Sequence, residues 1–178
     1  MKKISLIIPL YNEQESILTT LSALEAELGV LPYDFQLVLV NDGSRDATLA
    51  LISGYRPRAF DVKIIDLSRN FGKEAALSAG IDEADGDAAI PFDADLQDPT
   101  ALIPKLLAKW EEGYEVVLAK RIDRSTDTPL KRLTARWFYS SINHLSDVPI
   151  PENVGDFRLM DRKVMEALGQ LRENRRFM

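Results

Sequence analysis

The chain has 178 residues, 46% of them hydrophobic, with no cysteine and a single histidine, His144. This length and apolar content suffice for one substantial core, and no Ser-, Gly- or Pro-rich linker divides the sequence, so we predict one domain over residues 1–178. The lack of cysteine excludes a disulfide framework and any thiolate metal site, which leaves oxygen ligands or His144 to bind a metal. Since His144 has no partner at metal-binding spacing, we favour a structural role for it.

A short apolar run near the N-terminus could imitate a signal peptide. Pro9 and the polar pair Asn12 and Glu13 end it early, and no small-residue cleavage site follows, so we interpret it as a strand of a protein that is not secreted. No stretch of about 18 apolar residues occurs, so we predict that nothing in this sequence spans a bilayer.

The net charge of −6 is distributed unevenly. Residues 1–119 hold 10 Lys and Arg against 20 Asp and Glu, whereas residues 120–178 hold 12 against 8. The basic last third is either an ordinary solvated surface or a face for anionic lipid or phosphate, and charge alone does not separate the two. The acidic first part argues against nucleic acid as the main partner, because duplex binding needs a broad cationic surface.

Apolar runs rich in β-branched residues alternate with amphipathic segments along the chain. The runs predict strands over residues 4–9, 35–40, 62–67, 88–92 and 116–119, and the segments predict helices over 15–28, 46–53, 73–83 and 99–112. The rest predicts a helix over 130–145, a short strand over 157–160 and a helix over 161–171. Strands separated by such helices form right-handed parallel crossovers, so we predict an α/β fold with ligands at the carboxyl ends of the strands.

Polar residues follow the first two predicted strands. Residues 9–13, Pro-Leu-Tyr-Asn-Glu, fit either an ordinary strand-to-helix turn or a binding loop. In residues 41–48, Asn-Asp-Gly-Ser-Arg-Asp-Ala-Thr, Asp46 is predicted to cap the next helix. Asp42 stands where a buried strand emerges, and a carboxylate there can accept hydrogen bonds from a base or ribose.

Residues 68–74, Ser-Arg-Asn-Phe-Gly-Lys-Glu, place two cations and a glycine at a predicted helix N-terminus. Exposed N–H groups and the helix dipole favour anions there, which suits a diphosphate and indicates Lys73 as a binding residue. The spacing matches neither the P-loop nor the dinucleotide-binding glycine fingerprint.

Residues 91–99, Pro-Phe-Asp-Ala-Asp-Leu-Gln-Asp-Pro, carry the strongest signal. In an extended segment Asp93, Asp95 and Gln97 alternate and project to one side, so we predict that they bring three oxygen donors together. Hard oxygen ligands suit Mg²⁺ or Mn²⁺, and a divalent ion would neutralise the charge on a leaving diphosphate. A helix cap explains the end of the segment, but two neighbouring carboxylates without a cation repel each other.

In this order and spacing, the four clusters resemble family 2 glycosyltransferases of the GT-A fold. The motifs are Pro-x-Tyr-Asn-Glu, Asn-Asp-Gly-Ser-x-Asp-x-Thr, Arg-Asn-Phe-Gly-Lys-Glu and Asp-Ala-Asp-Leu-Gln-Asp-Pro, and the later Gly-Asp-Phe-Arg-Leu-Met of residues 155–160 adds specificity. The sequence most resembles the polyprenyl-phosphate branch, which comprises dolichol-phosphate mannose synthases and bactoprenol glucosyltransferases, over essentially the whole chain. The resemblance implies a Rossmann-like three-layer α/β/α fold with a mostly parallel central sheet.

It also implies an inverting, metal-dependent hexosyltransferase whose donor is a nucleotide sugar of the UDP-glucose or GDP-mannose type. Asp93 and Asp95 would bind the ribose-diphosphate and the metal, Mg²⁺ or Mn²⁺, and Gln97 would complete the metal shell. The residues that would line the nucleoside pocket are Pro9, Tyr11, Glu13 and Asp42.

The resemblance gives the basic last third a role, since the family holds its acceptor phosphate with basic residues in this region. Arg121 ends a predicted strand, and Arg132 and Arg136 are i, i+4 neighbours on a predicted helix, so we expect all three to bind the phosphate of a polyprenyl acceptor. Asp156 is by resemblance a candidate catalytic base. A phosphate monoester is already mostly ionised at neutral pH and needs little such help, so Asp156 could instead orient Arg158 or the sugar.

Relatives in this branch commonly continue into an amphipathic segment and two membrane spans. We therefore expect the sequence to be the soluble part of a membrane-anchored protein of cell envelope glycosylation. The expected location is the cytoplasmic side of the inner membrane, where the full-length protein could form homo-oligomers.

Two other functions stay open. A family 2 transferase with a sugar-hydroxyl acceptor, in cell-surface polysaccharide synthesis, would need a general base and would make Asp156 indispensable, but it would not need Arg121 with Arg132. A nucleotide-binding module without turnover would keep the same sheet, and metal-independent nucleotide affinity would identify it.

Overall fold

The computed structural model describes residues 1–120 and 154–170, with side chains except at positions 120 and 154–156. Six strands form one sheet: β1 Lys3–Leu10, β2 Asp34–Asn41, β3 Asp61–Asp66, β4 Ala88–Pro91, β5 Val116–Lys120 and β6 Val154–Asp161. Every strand predicted from the sequence is present within about two residues, apart from the longer β6.

The strands are arranged in the order β3-β2-β1-β4-β6-β5. Neighbours among the first four pair in parallel, whereas β6 pairs antiparallel with β4 on one side and β5 on the other. Of the described strands, β6 alone runs against the rest, which confirms the mostly parallel sheet. The edge strand β3 is exposed at four of its six positions, whereas β1, β2 and β4 are buried along most of their length, as in sheets covered on both faces.

In the described part of the chain, five α-helices connect or follow the strands: α1 Ile17–Leu28, α2 Thr48–Gly54, α3 Lys73–Asp82, α4 Ile103–Glu111 and α5 Arg162–Gln170, with a 3₁₀ turn at Thr100–Leu102. These agree with the predicted helices, while the helix predicted over 130–145 lies outside the described residues. Within 1–120 and 154–170, no helix combines the length and the apolarity that crossing a bilayer requires.

Two hydrophobic cores lie on opposite faces of the sheet. On one face of the sheet α1 and α4 contribute core residues such as Leu21 and Leu107, and on the other face α3 and α5 contribute Leu77 and Met165. The close approach of α3 to β1 requires glycine at position 80, because a Cβ there would lie 2.3 Å from Ile7 Cγ2. The three-layer α/β/α architecture is therefore confirmed for the described residues.

Because β1, β2, β3 and β4 are parallel, their carboxyl ends lie along one edge of the sheet. We call this the carboxyl edge and the opposite one the amino edge. The helices α1, α3 and α4 start at the carboxyl edge and run back toward the amino edge. Every polar cluster of the first hundred residues therefore comes to the carboxyl edge, where ligands of open α/β sheets bind.

Candidate functional site

A cleft of about 330 Å³ opens at the carboxyl edge. Seven of the residues predicted to bind the donor line it, namely Pro9, Tyr11, Glu13, Asp42, Lys73, Asp93 and Asp95. Four further residues complete the lining: Leu10, Asn70, Gly72 and Ala94. The structure thus brings together residues that are as much as 86 positions apart in sequence, between Pro9 and Asp95.

The loops after β1 and β2 hold each other at one side of the cleft. Asn12, which has a left-handed backbone with φ of 57°, donates its N–H to Ser44 Oγ at 3.0 Å, and its side-chain oxygen accepts from the Arg45 N–H at 2.9 Å. The Glu13 N–H donates to Thr48 Oγ1 at 2.8 Å. These bonds fix the segment that presents Tyr11 and Glu13 to the cleft.

Asp46 also ties these two loops together. It stands one residue before Ala47, the N-cap of α2, and its Oδ1 accepts from the Thr48 N–H at 3.0 Å and the Thr48 hydroxyl at 2.6 Å. Its other oxygen accepts from the Gln14 N–H at 3.2 Å. Burial acts to raise the pKa of Asp46, but the bonds from Thr48 and Gln14 outweigh it and lower the pKa. The predicted capping carboxylate therefore acts one position earlier than an N-cap.

Asp42 organises the loop that precedes α3. Its side chain is buried, and its two oxygens accept the N–H groups of Phe71 at 2.7 Å and Gly72 at 2.8 Å. Next to it, Gly43 has a φ of 66°, and a Cβ at that position would lie 2.4 Å from the Arg69 carbonyl carbon. Because each carboxylate oxygen has a further lone pair, Asp42 can shape this loop and still accept a bond from a ligand in the cleft.

Lys73, the first residue of α3, reaches across the cleft to the end of β4. Its Nζ lies 2.8 Å from Asp93 Oδ1 and 3.0 Å from Asp93 Oδ2. The ammonium group therefore bridges both oxygens of a carboxylate that the sequence predicts as a metal ligand. Both side chains are partly exposed, with 41% of Lys73 and 34% of Asp93 accessible.

The segment after β4 turns instead of continuing as an extended strand, so the predicted alternation of Asp93, Asp95 and Gln97 is wrong. Leu96 has a left-handed backbone with φ of 58°. Asp95 closes the turn by accepting the Gln97 N–H at 3.1 Å on Oδ1 and the Gln97 side-chain amide at 2.7 Å on Oδ2. An Asp that bonds to the backbone two residues ahead favours such a turn. Asp93 and Asp95 still line the cleft, whereas Gln97 does not.

Thr20 of α1 holds this turn in place through a hydrogen bond. The residues around Thr20 in the sequence do not predict this role. The side chain is fully buried, and its hydroxyl lies 2.5 Å from the carbonyl oxygen of Ala94, the residue between the two aspartates. A threonine in an amphipathic helix gives no signal of such a contact, because the partner lies 74 positions further along the chain. By contrast, Asn70 and Gly72 belong to a polar cluster that sequence analysis had already identified.

The protein side chains of the cleft can supply only some of the oxygen ligands that a divalent cation needs. Among the described residues no three His, Asp or Glu side chains are grouped to hold a metal ion. Asp93 and Asp95 nevertheless present carboxylate oxygens to one cleft. Mg²⁺ is commonly held by one or two carboxylates together with substrate phosphates and water, so two carboxylates fit an ion that arrives with a diphosphate.

The remaining predicted residues lie outside the described part of the chain. These are Arg121, Arg132, Arg136 and His144, together with the side chain of Asp156, whose backbone belongs to β6. Their roles stay predictions.

Comparison with known families and proteins gives strong matches. Residues 5–169 match the family model described as Glycosyl transferase family 2. The chain is 50% identical over 177 residues to an uncharacterized glycosyltransferase of Synechocystis sp., and 49% identical over 176 residues to the bactoprenol glucosyl transferase of Shigella phage SfV. Each alignment covers 99% of this chain but only 55% and 57% of the relative, so the chain spans little more than half the length of the curated relatives that it matches.

Solved structures share the fold at lower identity. A mannosyltransferase from Pyrobaculum calidifontis in complex with GDP-Man and Mn²⁺ aligns with a TM-score of 0.64 and 22% identity, covering 94% of this chain and 47% of that one. Glucosyl-3-phosphoglycerate synthase from Mycobacterium tuberculosis, in complex with Mn²⁺, UDP-glucose and phosphoglyceric acid, aligns with a TM-score of 0.63 and 22% identity, covering 91% and 57%. At this identity the likeness concerns the fold.

Proposed function

The chain belongs to glycosyl transferase family 2, and on that premise we propose that it transfers a hexose from a nucleoside diphosphate sugar to a polyprenyl phosphate, with inversion at the anomeric carbon. The observation that carries the donor half is the cleft in which Lys73, Asp93 and Asp95 converge at the carboxyl edge. The acceptor half is supported by relatives about half identical to this chain that are named bactoprenol glucosyl transferases.

The donor would lie along the cleft with its nucleoside toward the first two loops. Tyr11 and Glu13 come from the loop after β1, and the buried Asp42, which directly follows β2, lines the same cleft. The diphosphate would lie toward Lys73, where the first N–H groups of α3 and an ammonium group favour anionic oxygens. The two sides of the cleft thus offer hydrogen-bonding groups to a nucleoside and positive charge to phosphates.

Asp93 and Asp95 are the residues that would hold a divalent ion, Mg²⁺ or Mn²⁺. Such an ion neutralises charge on a leaving diphosphate. The protein contributes by fixing both carboxylates: Lys73 contacts Asp93, and Gln97 bonds to Asp95. Thr20 holds the backbone between them.

The acceptor phosphate needs binding more than activation. With a second pKa of about 6, a phosphate monoester is mostly ionised at neutral pH, so its oxygen can attack the anomeric carbon with little help from a base. Alignment of that oxygen with the bond to the leaving diphosphate then supplies much of the catalysis. We assign the phosphate to Arg121, Arg132 and Arg136 in the basic last third, and we assign Asp156 an orienting role.

A lipid acceptor also accounts for the charge distribution. Residues 120–178 hold an excess of 4 basic residues, from 12 Lys and Arg against 8 Asp and Glu, next to a strongly acidic first part. Basic segments bind surfaces that carry anionic lipids. We therefore propose that the reaction takes place at the cytoplasmic face of the membrane.

The experiment is transfer of radiolabelled sugar from a panel of UDP- and GDP-sugars to detergent-dispersed undecaprenyl phosphate, with Mn²⁺ or Mg²⁺. Wild type is compared with Asp95→Ala in the cleft and with Asp87→Asn, whose carboxylate instead accepts the Lys3 N–H at 2.8 Å on the amino edge. We expect a lipid-linked product for wild type and Asp87→Asn, and none for Asp95→Ala.

Acceptor controls separate this function from its alternatives. Undecaprenol, which has the same chain without the phosphate, should accept no sugar. Transfer to soluble saccharides in preference to undecaprenyl phosphate would favour a sugar-hydroxyl acceptor. Tight nucleotide binding without metal, transfer or donor hydrolysis would favour a module without turnover, and either result would contradict the proposal.

A further inference from the structure

The contact between Lys73 and Asp93 puts a protein cation where the proposed function requires a metal. Lys73 Nζ touches both Asp93 oxygens, at 2.8 and 3.0 Å, inside the cleft. The ammonium group neutralises the carboxylate, but it also repels a divalent ion that approaches the same oxygens. Lysine and metal therefore compete for Asp93.

Asp95 is held differently, although it lies only two residues away. The bonds that it accepts from Gln97 come from amide N–H groups, which carry no charge. These bonds orient the carboxylate and leave its negative charge in place. Of the two aspartates in the cleft, Asp93 is thus the one whose availability to a metal depends on what else Lys73 contacts.

A diphosphate offers Lys73 a stronger partner than Asp93. Its oxygens carry more negative charge than one carboxylate, and they would arrive at the end of α3 where Lys73 begins the helix. A lysine side chain carries its ammonium group on a flexible four-carbon stem, so the group can turn from Asp93 to a phosphate without a change in the backbone.

We propose that Lys73 is the counter-ion of Asp93 in the donor-free protein and moves to the diphosphate when the donor binds, which frees Asp93 for the metal. The inference rests on the proposed function, since it concerns the same cleft and donor. Metal and nucleoside diphosphate then bind cooperatively: each raises the affinity of the other by the same factor, because coupling between two ligands is reciprocal. The donor-free protein holds a divalent ion only weakly.

The test is Mn²⁺ binding without any nucleotide, followed by the loss of the electron paramagnetic resonance signal of free Mn²⁺. The variant is Lys73→Met, which keeps most of the length of the side chain and removes its charge. The matched control is Lys63→Met, because Lys63 pairs with Glu83 at the far end of α3, outside the cleft. Both variants change the net charge equally, so a general electrostatic effect appears in both.

We expect Lys73→Met to bind Mn²⁺ about tenfold more tightly than wild type, and Lys63→Met to stay close to wild type. UDP or GDP should tighten Mn²⁺ binding strongly in wild type and less in Lys73→Met, since the variant has no counter-ion to displace. Thermal unfolding of each protein verifies that it is folded. Unchanged or weaker Mn²⁺ binding by a folded Lys73→Met protein would overturn the inference.

This readout separates the inference from the function on which it rests. If wild type makes lipid-linked sugar but Lys73→Met does not bind Mn²⁺ more tightly, the proposed movement of Lys73 from Asp93 to the diphosphate is wrong and the proposed function stands. If no sugar is transferred to any polyprenyl phosphate but Mn²⁺ binding tightens in Lys73→Met and not in Lys63→Met, the competition at Asp93 is supported and the proposed acceptor is wrong.

Discussion

Charged side chains are arranged differently at the two edges of the sheet. At the amino edge charged side chains form ion pairs and hydrogen bonds with one another and with Trp110. Lys2 lies 2.6 Å from Glu111 and 4.6 Å from the centre of the Trp110 ring, and the Trp110 indole N–H donates to Asp161 at 2.7 Å. At the carboxyl edge Glu13, Asp42, Asp93 and Asp95 gather in one cleft with Lys73. The contacts at the amino edge connect secondary-structure elements, whereas the acidic groups at the carboxyl edge line an open cleft.

The backbone differs in the same sense. Asn12 and Leu96 are the only non-glycine residues with left-handed φ in the described part of the chain, and both lie at the carboxyl edge. Such conformations cost on the order of 1 kcal/mol for residues other than glycine and persist where surrounding contacts impose them. The contacts that impose them here are those that shape the cleft. Substitutions at the amino edge should therefore change stability, and those at the carboxyl edge should change binding and turnover.

The largest effect is expected from Asp93→Asn. Loss of one carboxylate from the cleft should lower the initial rate of sugar transfer by about 10²–10³-fold, the usual cost of removing a group that stabilises developing charge. Stability should change little, because ion pairs between partly exposed groups contribute about 0–1 kcal/mol.

The control for Asp93→Asn is Asp85→Asn, which removes the partner of Lys3 in an ion pair of 2.9 Å at the amino edge. The transfer rate of this variant should equal that of wild type. A comparable loss of transfer in both variants would show that the two edges do not divide function as described.

A smaller effect on both properties is expected from Thr20→Val, because Thr20 connects α1 to the turn of the cleft. Valine has the same shape but cannot bond to the Ala94 carbonyl, and a buried carbonyl without a partner costs about 1–3 kcal/mol. The KM for the donor should rise about tenfold with kcat less affected, since the substitution shifts binding groups without removing them. Steady-state kinetics and urea unfolding measure the two changes.

Thr20→Ser provides the rescue, because it keeps the hydroxyl and loses one methyl group. It should restore the donor KM close to wild type even if some stability is lost. If Thr20→Ser and Thr20→Val raise KM equally, the hydroxyl does not position the turn and Thr20 is simply a core residue.

Much of the fold could be predicted because its signals are local. The buried apolar runs of β1 and β2 and the amphipathic pattern of α4 indicate whether each element is a strand or a helix and where it lies in the sequence. Neither signal depends on the elements that pack against it. The place of β6 between β4 and β5 could not be derived from the residues, since pairing between strands distant in sequence depends on packing of the whole sheet. The GT-A class, with its mostly parallel sheet, was nevertheless correct.

The convergence of the cleft could be predicted for a geometric reason: parallel strands end at one edge, so the polar residues that follow them meet. Local conformation within the loops was harder. The alternating pattern of residues 93–97 predicted an extended segment. In the structure, the bonds from Gln97 to Asp95 and the left-handed backbone of Leu96 form a turn instead. Thr20 was missed because its role depends on one contact with a distant residue.

At the amino edge, Trp110→Phe should affect stability alone. The substitution keeps most of the ring in the core and removes the indole N–H that donates to Asp161. A hydrogen bond to a charged acceptor contributes about 1.5–3 kcal/mol, and we expect about 1 kcal/mol here because the Asp161 carboxylate can regain water. Urea unfolding measures this loss, and nucleotide affinity should not change.

The amino edge should also determine how stability responds to acid, and this is the smallest of the expected effects. Hydrogen bonds from the Arg58 N–H and the Tyr55 hydroxyl lower the pKa of Glu25. The Lys2 ammonium lowers the pKa of Glu111 against the effect of burial. A carboxyl group with a lowered pKa in the folded state stabilises the fold above its ordinary pKa, and this contribution is lost as the pH falls through the folded value.

We therefore expect the urea midpoint of wild type to fall as the pH decreases below the ordinary glutamate pKa of 4.5. Glu25→Gln should start from a lower midpoint at pH 7 and lose less on acidification, because its side chain cannot take up a proton. Glu15→Gln is the comparison, since Glu15 is exposed beside the cleft and has no described bond to lose. Burial, with the bond to Glu25, raises the pKa of Tyr55 to about 12, so the same pair should also lose stability as the pH rises from 10 toward 12. An acid response in Glu25→Gln equal to that of wild type would place the titrating groups elsewhere.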